Sequence, residues 1–453
     1  MPAFRFACLA VLLAMLSIAA APTRAEADVV IPDGGFADLA TDLGTGRSVA
    51  ISSDIAPGSV AGNMTMRLYA TALAADGRPT GAARMFAPVW SPDLLGPHLI
   101  AVATDTRRGR HLVAYTASKP GMGISPCRPL PPAAPEAAAM QAWLAGDLSG
   151  CATHDREIFV RVLNRAGRAV GPERQVSSVG PAASGLHGSG AATLAYDRRS
   201  DSYLVVFNAL ATGDQEATAV LSQRLAPDGR RVGTPRVPAL APEPTTPRPQ
   251  TSLVADPRGG YLLVYLWGRA PQQVLYARRM DPAGAPSGPT SVLTGKGIGS
   301  FELDVDARRR RVLVVYTRSG GVDDEIRARL LNLAGEPIGD ILDLPYAIGG
   351  GGVYVAAEPA SGRWLYGFSR RGKELESQGF VQGANGAGRP QGPARPLSPA
   401  GGTSSGSPLL TTARGGNVLA RWGETPVVCA MGDYGEYCGY GTSSTLHLRL
   451  VRP

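Results

Sequence analysis

Phe301-Glu-Leu-Asp-Val-Asp306, an arginine-rich turn and the apolar run Val312-Leu-Val-Val-Tyr316 open the stretch 301–345, whose reading decides the fold. An acidic loop, Asp323-Asp-Glu325, leads into the alternating segment Ile326-Arg-Ala-Arg-Leu-Leu331. Gly335-Glu-Pro-Ile-Gly339 and a short run at 341–344 complete it. These apolar runs are too short for helices, and the residues between them are rich in Gly, Asp and Pro. The stretch therefore reads as four short strands joined by three turns. In the third strand Ile326, Ala328 and Leu330 share one face and Arg327 and Arg329 the other, as the two-residue strand period requires.

The pattern recurs, and two markers align its copies. One is an acid nine or ten residues before an apolar strand end; the other is a Gly-x-x-x-Gly turn after the third strand. Unit 1 carries Asp42 and Gly77/Gly81, unit 2 Asp105 and Gly167/Gly171, unit 3 Asp197 and Gly229/Gly233. Unit 4 carries Asp256 and Gly284/Gly288, unit 5 is the opening stretch, and unit 6 carries Glu358 and Gly388/Gly392. Unit 7 has runs at 409–412, 418–422 and 446–451, with Ala413 in place of the acid. Outer faces of third strands also bear aromatics (Tyr69, Phe159, Tyr276), so a lone sheet would leave apolar surface bare, whereas stacked copies cover it. Unit 7 stops at Pro453 without a fourth strand, while Val29-Val-Ile-Pro32 is spare at the other end. If residues 29–31 complete the last sheet, the ring closes and its edge is lost. The expectation is an all-β, seven-bladed β-propeller of four-stranded blades, closed by an N-terminal strand.

Ala255-Asp256, 261–265, Ala277-Arg278 and Gly284/Gly288 resemble the units of tandem-repeat β-propellers of secreted bacterial proteins. That resemblance covers nearly all of the chain after its leader and implies a fold, not an activity. WD dipeptides and the sialidase Asp-box pattern are both absent.

Arg5 followed by an apolar run to Ala21 and small residues up to Ala25 reads as a signal peptide over 1–25, cleaved after Ala25 or Ala21. Residues 26–453 are then a single propeller domain, periplasmic or extracellular, with no transmembrane segment. Cys127, Cys151, Cys429 and Cys438 remain after the leader, an even number in an oxidising compartment. Sequence proximity favours Cys127 with Cys151 and Cys429 with Cys438.

Both pairs lie in insertions that follow a second strand, at 117–156 and 423–444. In a four-stranded blade, turns after the second strand and links between blades share one face of the disc. Trp90, read as part of the link between units 1 and 2, belongs to that face too. Trp90, Trp143, His154, Asp433, Tyr434, Tyr437 and Tyr440 are the candidate ligand-binding residues, since long loops pinned on a rigid scaffold carry recognition. The opposite face collects arginine from the repeated turns, within a chain of net charge +8.

Other motifs fail. Gly402-Thr-Ser-Ser-Gly406 matches a nucleophile elbow as a string but lacks the strand before and helix after it. Five histidines show no metal-ligand spacing, and neither cofactor nor metal is expected. The Asp column reads as turn capping. No paired carboxylates announce a catalytic centre. The leading expectation is thus a monomeric, non-catalytic binding propeller whose partner is a glycan or envelope protein, not nucleic acid. A glycoside hydrolase or lyase acting at the central funnel, and a scaffold docked by its basic face, are the alternatives.

Overall fold

The computed structural model describes residues 29–32, 35–42, 45–55, 64–91, 100–117, 157–177, 186–211, 216–240, 246–247, 250–268, 271–318, 324–348, 353–371, 377–398, 403–405, 409–412, 418–432, 435–440 and 445–451. They form seven blades of four antiparallel strands in a ring. Blade 5 is typical: Ile298–Asp306, Arg311–Arg318, Asp324–Asn332 and Pro337–Ile348 pair in that order. The first strands of the other blades are Gly35–Asp42, Ile100–Asp105, Leu186–Asp197, Thr251–Ala255, Val353–Glu358 and Leu409–Thr412. Each first strand abuts the first strand of the next blade, and that of blade 7 abuts that of blade 1. These seven strands therefore surround the central channel.

Blade 7 borrows its fourth strand. Val29–Pro32 pairs antiparallel with the last strand of the chain, Val30 opposite His447, as the spare N-terminal run implied. The ring needs this clasp more here than elsewhere. Each blade interface buries its own apolar cluster, and between blades 4 and 5 it includes Leu262, Val264, Phe301, Val314 and Tyr316. Among the described residues the seam between blades 7 and 1 holds only Leu39, Ala50, Leu73, Leu419 and Leu448. Strand pairing supplies at that seam what burial does not.

The Gly-x-x-x-Gly signature has two separate causes. Its first glycine turns the chain in the left-handed region and presses on the preceding blade. At Gly284 φ is +84°, and a Cβ would lie 2.7 Å from Leu204 Cδ1 of blade 3. Gly77 makes the equivalent contact with Leu419 of blade 7, so the repeated contact also runs across the seam. The second glycine starts the fourth strand, where its carbonyl meets a third-strand side chain: Gln382 Nε2 donates to Gly392 O.

The acids of the first turns are buried and cap their own turns. Asp105 Oδ1 accepts from the backbone N–H of Arg107 and Arg108. Arginines then reach between blades. Arg108 forks onto Asp201 of blade 3 at 2.7 Å through both terminal nitrogens, and Arg310 of blade 5 reaches Asp256 of blade 4 at 2.9 Å. Arg309 and Arg311 hold Asp306 while donating to carbonyls of blade 6. The arginine-rich face is thus largely a set of inter-blade clasps, and a guanidinium engaged this way offers little free charge to a docked surface.

Blade 7 also departs from the repeat. Its second strand, Val418–Gly432, outruns the sheet, and 427–432 pair with Gly435–Tyr440 as a hairpin on the link face. Thr403–Ser405, the core of the discarded nucleophile-elbow string, is a strand alongside Glu424–Pro426. Gly432 lies opposite Gly435 and Cys429 opposite Cys438. In a two-residue hairpin the closing pair is hydrogen-bonded, so alternation makes the cysteine pair non-hydrogen-bonded, with Cα atoms about 4.5 Å apart. That separation lies within disulfide range. Cys127 and Cys151 lie outside the described residues.

Two outcomes are expected. Deleting residues 26–33 should lower the melting temperature clearly, by exposing the last strand of blade 7; an unchanged melting curve contradicts closure by the clasp. Non-reducing peptide mapping of the exported protein should join Cys429 to Cys438, and a link from either to Cys127 or Cys151 contradicts the register argument.

Candidate active site

An innermost strand has one edge without a neighbour, so its N–H and C=O groups point into the channel and need partners. Two carboxylates supply them. Asp38 of blade 1 accepts from its neighbour Leu39 N at 2.7 Å and from Val102 N of blade 2 at 2.8 Å. Asp304 of blade 5 repeats the device, accepting from Val305 N at 2.7 Å and from Ala357 N of blade 6 at 2.8 Å. Thr412 of blade 7 adds a contact of 3.2 Å to Asp304 Oδ2 and one of 2.6 Å to Ala357 O. Three consecutive blades are tied together at this point.

Glu302 has no such task. Strand alternation puts Phe301 and Leu303 into the core between blades 4 and 5, and turns Glu302 and Asp304 the other way. No described residue donates a hydrogen bond to Glu302, whose surface is only partly open to the lumen. Its electrostatic neighbour is Asp38. Blades 1 and 5 are separated by two blades on the short way round, so these carboxyls meet only through the channel.

Burial, and then the Asp38 charge, push the Glu302 carboxyl up to about 8. Glu302 therefore keeps its proton at neutral pH, the condition for an acid catalyst. Burial also raises Asp304, to about 6, against the opposing pull of the Ala357 and Val305 N–H groups and Thr412. Near blade 2's outer end of the same interface, burial lowers His111 to about 4, with Thr104 Oγ1 at 2.9 Å from its Nδ1. Among the described residues no group of His, Cys, Asp and Glu is arranged to hold a metal ion.

The sequence-derived binding residues fare differently. Trp143, His154, Asp433 and Tyr434 lie outside the described residues. Tyr437 and Tyr440 stand on the blade 7 hairpin opposite Ala430 and Val427. Trp90 is not in a link: it lies in the fourth strand of blade 1, Arg84–Ser91, opposite Thr65 on the rim of the disc. Asp38, Glu302 and Asp304 were missed. Their signal is a departure from the repeat. Four residues before the turn acid, units 2, 3, 4 and 6 place Ala101, Thr193, Ser252 and Tyr354, whereas units 1 and 5 place Asp38 and Glu302. Two residues before it, Asp304 replaces an alanine or valine.

No family model matches the chain, and no curated protein matches it. Solved structures do. An ulvan lyase of polysaccharide lyase family PL25, solved bound to -[GlcA(1-4)Rha3S]-, superposes with a TM-score of 0.52 at 9% identity, over 87% of this chain and 93% of that one. A protein of unknown function from Dyadobacter fermentans gives 0.49 at 14% identity, over 94% and 98%. A Hadza microbial sialidase gives 0.47 at 9%, over 93% and 94%. At these identities the likeness is one of fold. The leading expectation of a non-catalytic binding propeller is nonetheless overturned. It rested on the lack of converging carboxylates, which the channel supplies, and the fold shared with the ulvan lyase is one that carries catalysis there.

The folded state holds the Glu302 proton up to pH about 8, whereas the unfolded chain releases it near the ordinary value of 4.5. Between those values the folded protein binds the extra proton, so this group lowers stability as pH rises. Glu302→Gln should therefore melt higher than the parent at pH 8.5, with the gap closing towards pH 5. His111 acts in the opposite sense, losing stability as pH falls from 6.5 towards 4, so the difference between the two proteins is the readout. A gap independent of pH would contradict the placement of Glu302.

Proposed function

We propose that this protein is an exported glycoside hydrolase working in the central channel, with Glu302 as the proton donor. The observation that carries this reading is the pairing of an enclosed, proton-retaining Glu302 with Asp38 across the channel. Glycoside hydrolysis asks for two carboxyl groups in opposite protonation states flanking the scissile bond. Glu302 gives its proton to the glycosidic oxygen as the bond to the anomeric carbon breaks. Water adds to that carbon, and Asp38 takes the proton that water loses. Exchange with solvent then returns both carboxyls to their starting states. Asp304, fastened to the edges of blades 5 and 6 and to Thr412, keeps the inner strands in place around the reacting groups.

Hydrolysis is favoured over elimination on charge. A lyase removes a proton beside a carboxylate and needs a cation or strong donors to neutralise the developing charge. The seven inner strands contain neither Lys nor Arg. The insertion-bearing face is the entrance side, because the first strands run from the links inwards. Tyr437 and Tyr440 on the hairpin there suit stacking on sugar rings. Export rests on the leader at 1–25; among the described residues no helix is long and apolar enough to cross a membrane.

A panel of oligosaccharides with reducing-end detection tests the reading. Glu302→Gln and Asp38→Asn should each lower kcat by roughly 10²–10⁴-fold while retaining the β-sheet circular dichroism of the parent. The kcat should also decline as pH rises through about 8, where Glu302 loses its proton. Turnover unaffected by either substitution would remove the channel from consideration.

A further inference from the structure

The channel is not merely carboxylate-bearing; it is short of compensating charge. Asp38, Glu302 and Asp304 are the acids of the inner strands away from the turn residues, and those strands hold no Lys or Arg. The turn acids, by contrast, are met by arginines such as Arg108, Arg310 and Arg311. Charge on the outer face is balanced within the protein, and charge in the channel is not.

Grouped acids alone do not make a site, and Asp38 and Asp304 have structural work in capping strand edges. Glu302 supplies the independent observation. Protein atoms surround it fully, it points towards Asp38 through the lumen, and no described residue donates to it. An enclosed carboxyl without a donor is costly unless something brought into the channel supplies one.

Resting on the hydrolase reading, we infer that the substrate is an oligosaccharide of amino sugars with free amines, whose ammonium group enters beside Asp38 and donates to Glu302. Asp38 supplies the negative charge, and the carbonyl oxygen of protonated Glu302 supplies an acceptor without needing to ionise. An ammonium offsets the Asp38 charge at Glu302 but leaves desolvation in force, so the proton needed for catalysis is kept. N-acetylation removes both the charge and two of the three donors. Uronate or sulfate groups, as in the ulvan fragment bound by the lyase of similar fold, would meet like charge in a confined channel of low polarity.

Titration calorimetry on the full mature chain at pH about 6, where sugar amines are protonated, separates the possibilities. The probes are a glucosamine tetramer, its fully N-acetylated counterpart and a galacturonate tetramer. The glucosamine tetramer should bind roughly tenfold or more tightly than either of the others. Asp38→Asn should erase most of that preference. Glu302→Leu, which breaks no hydrogen bond from a described residue, should do the same and covers the case in which the Asp38 variant fails to fold. Equal or tighter binding of the acetylated or anionic tetramer overturns the inference, as does a preference that survives both substitutions or no binding by any probe. Hydrolysis of a neutral glycan without amine preference would sink this inference and leave the hydrolase standing. Amine-selective binding with no turnover of any glycan would do the reverse.

Discussion

Every blade has two apolar faces, and a ring is the arrangement that covers both without leaving a first and a last sheet exposed. The constraint is visible in the second strands. Leu262, Val264 and Leu266 of blade 4 face blade 5, while Tyr261, Leu263 and Tyr265 of the same strand face blade 3. Neither half of that alternation can be given to solvent, so each blade depends on both neighbours. Interface clusters carry most of the burden, and the turn glycines allow blades to approach closely enough to form them. The seam between blades 7 and 1 is where this logic is weakest and where a strand from the other end of the chain is recruited.

Closing the ring has a cost that falls on the channel. Seven inner strands present seven unpaired edges to the lumen, and small or apolar side chains cannot satisfy them. Asp38 and Asp304 answer the problem locally, each bridging to the N–H of the next blade. The same geometry that calls for carboxylates as caps also withdraws them from bulk water, which raises Asp304 and Glu302. A structural need and an acid–base site arise at one place for one reason, and Glu302 is the member that the structural need leaves unexplained.

Much of the architecture was legible because it repeats. Strand periodicity, the turn acids and Gly-x-x-x-Gly recur in each unit, and Val29–Pro32 was conspicuous as the one strand-like run without a unit. The site was harder to read for the same reason. Glu302 and Asp304 stand in Phe301-Glu-Leu-Asp-Val-Asp306, the stretch that decided the fold, yet only Asp306 belongs to the repeat and drew notice. Aligning inner strands position by position exposes them, since a charge stands where other units place alanine, serine or threonine. What no alignment of units could supply is that blades 1 and 5 meet across the lumen; that follows from ring size and closure. The arginine turns misled in another way, because composition records their charge but not the carboxylates and carbonyls of neighbouring blades that absorb it.

Ring closure and the chemistry of the channel are therefore one property seen twice. Glu302 owes its raised position first to desolvation and only second to Asp38, and desolvation in the lumen is the joint product of all seven blades. Parting the seam between blades 7 and 1 would admit water and move Thr412 away from Asp304, since Thr412 sits on the blade 7 side of that seam. Each change acts on the proton equilibria of the channel before any blade loses its own sheet. The clasp formed by Val29–Pro32 lies on the outer rim, far from the carboxylates in chain and in space, but it holds shut the enclosure on which their ionisation depends. An acid that works only inside a closed ring is silent in the open chain, so catalysis waits on the last strand to be paired.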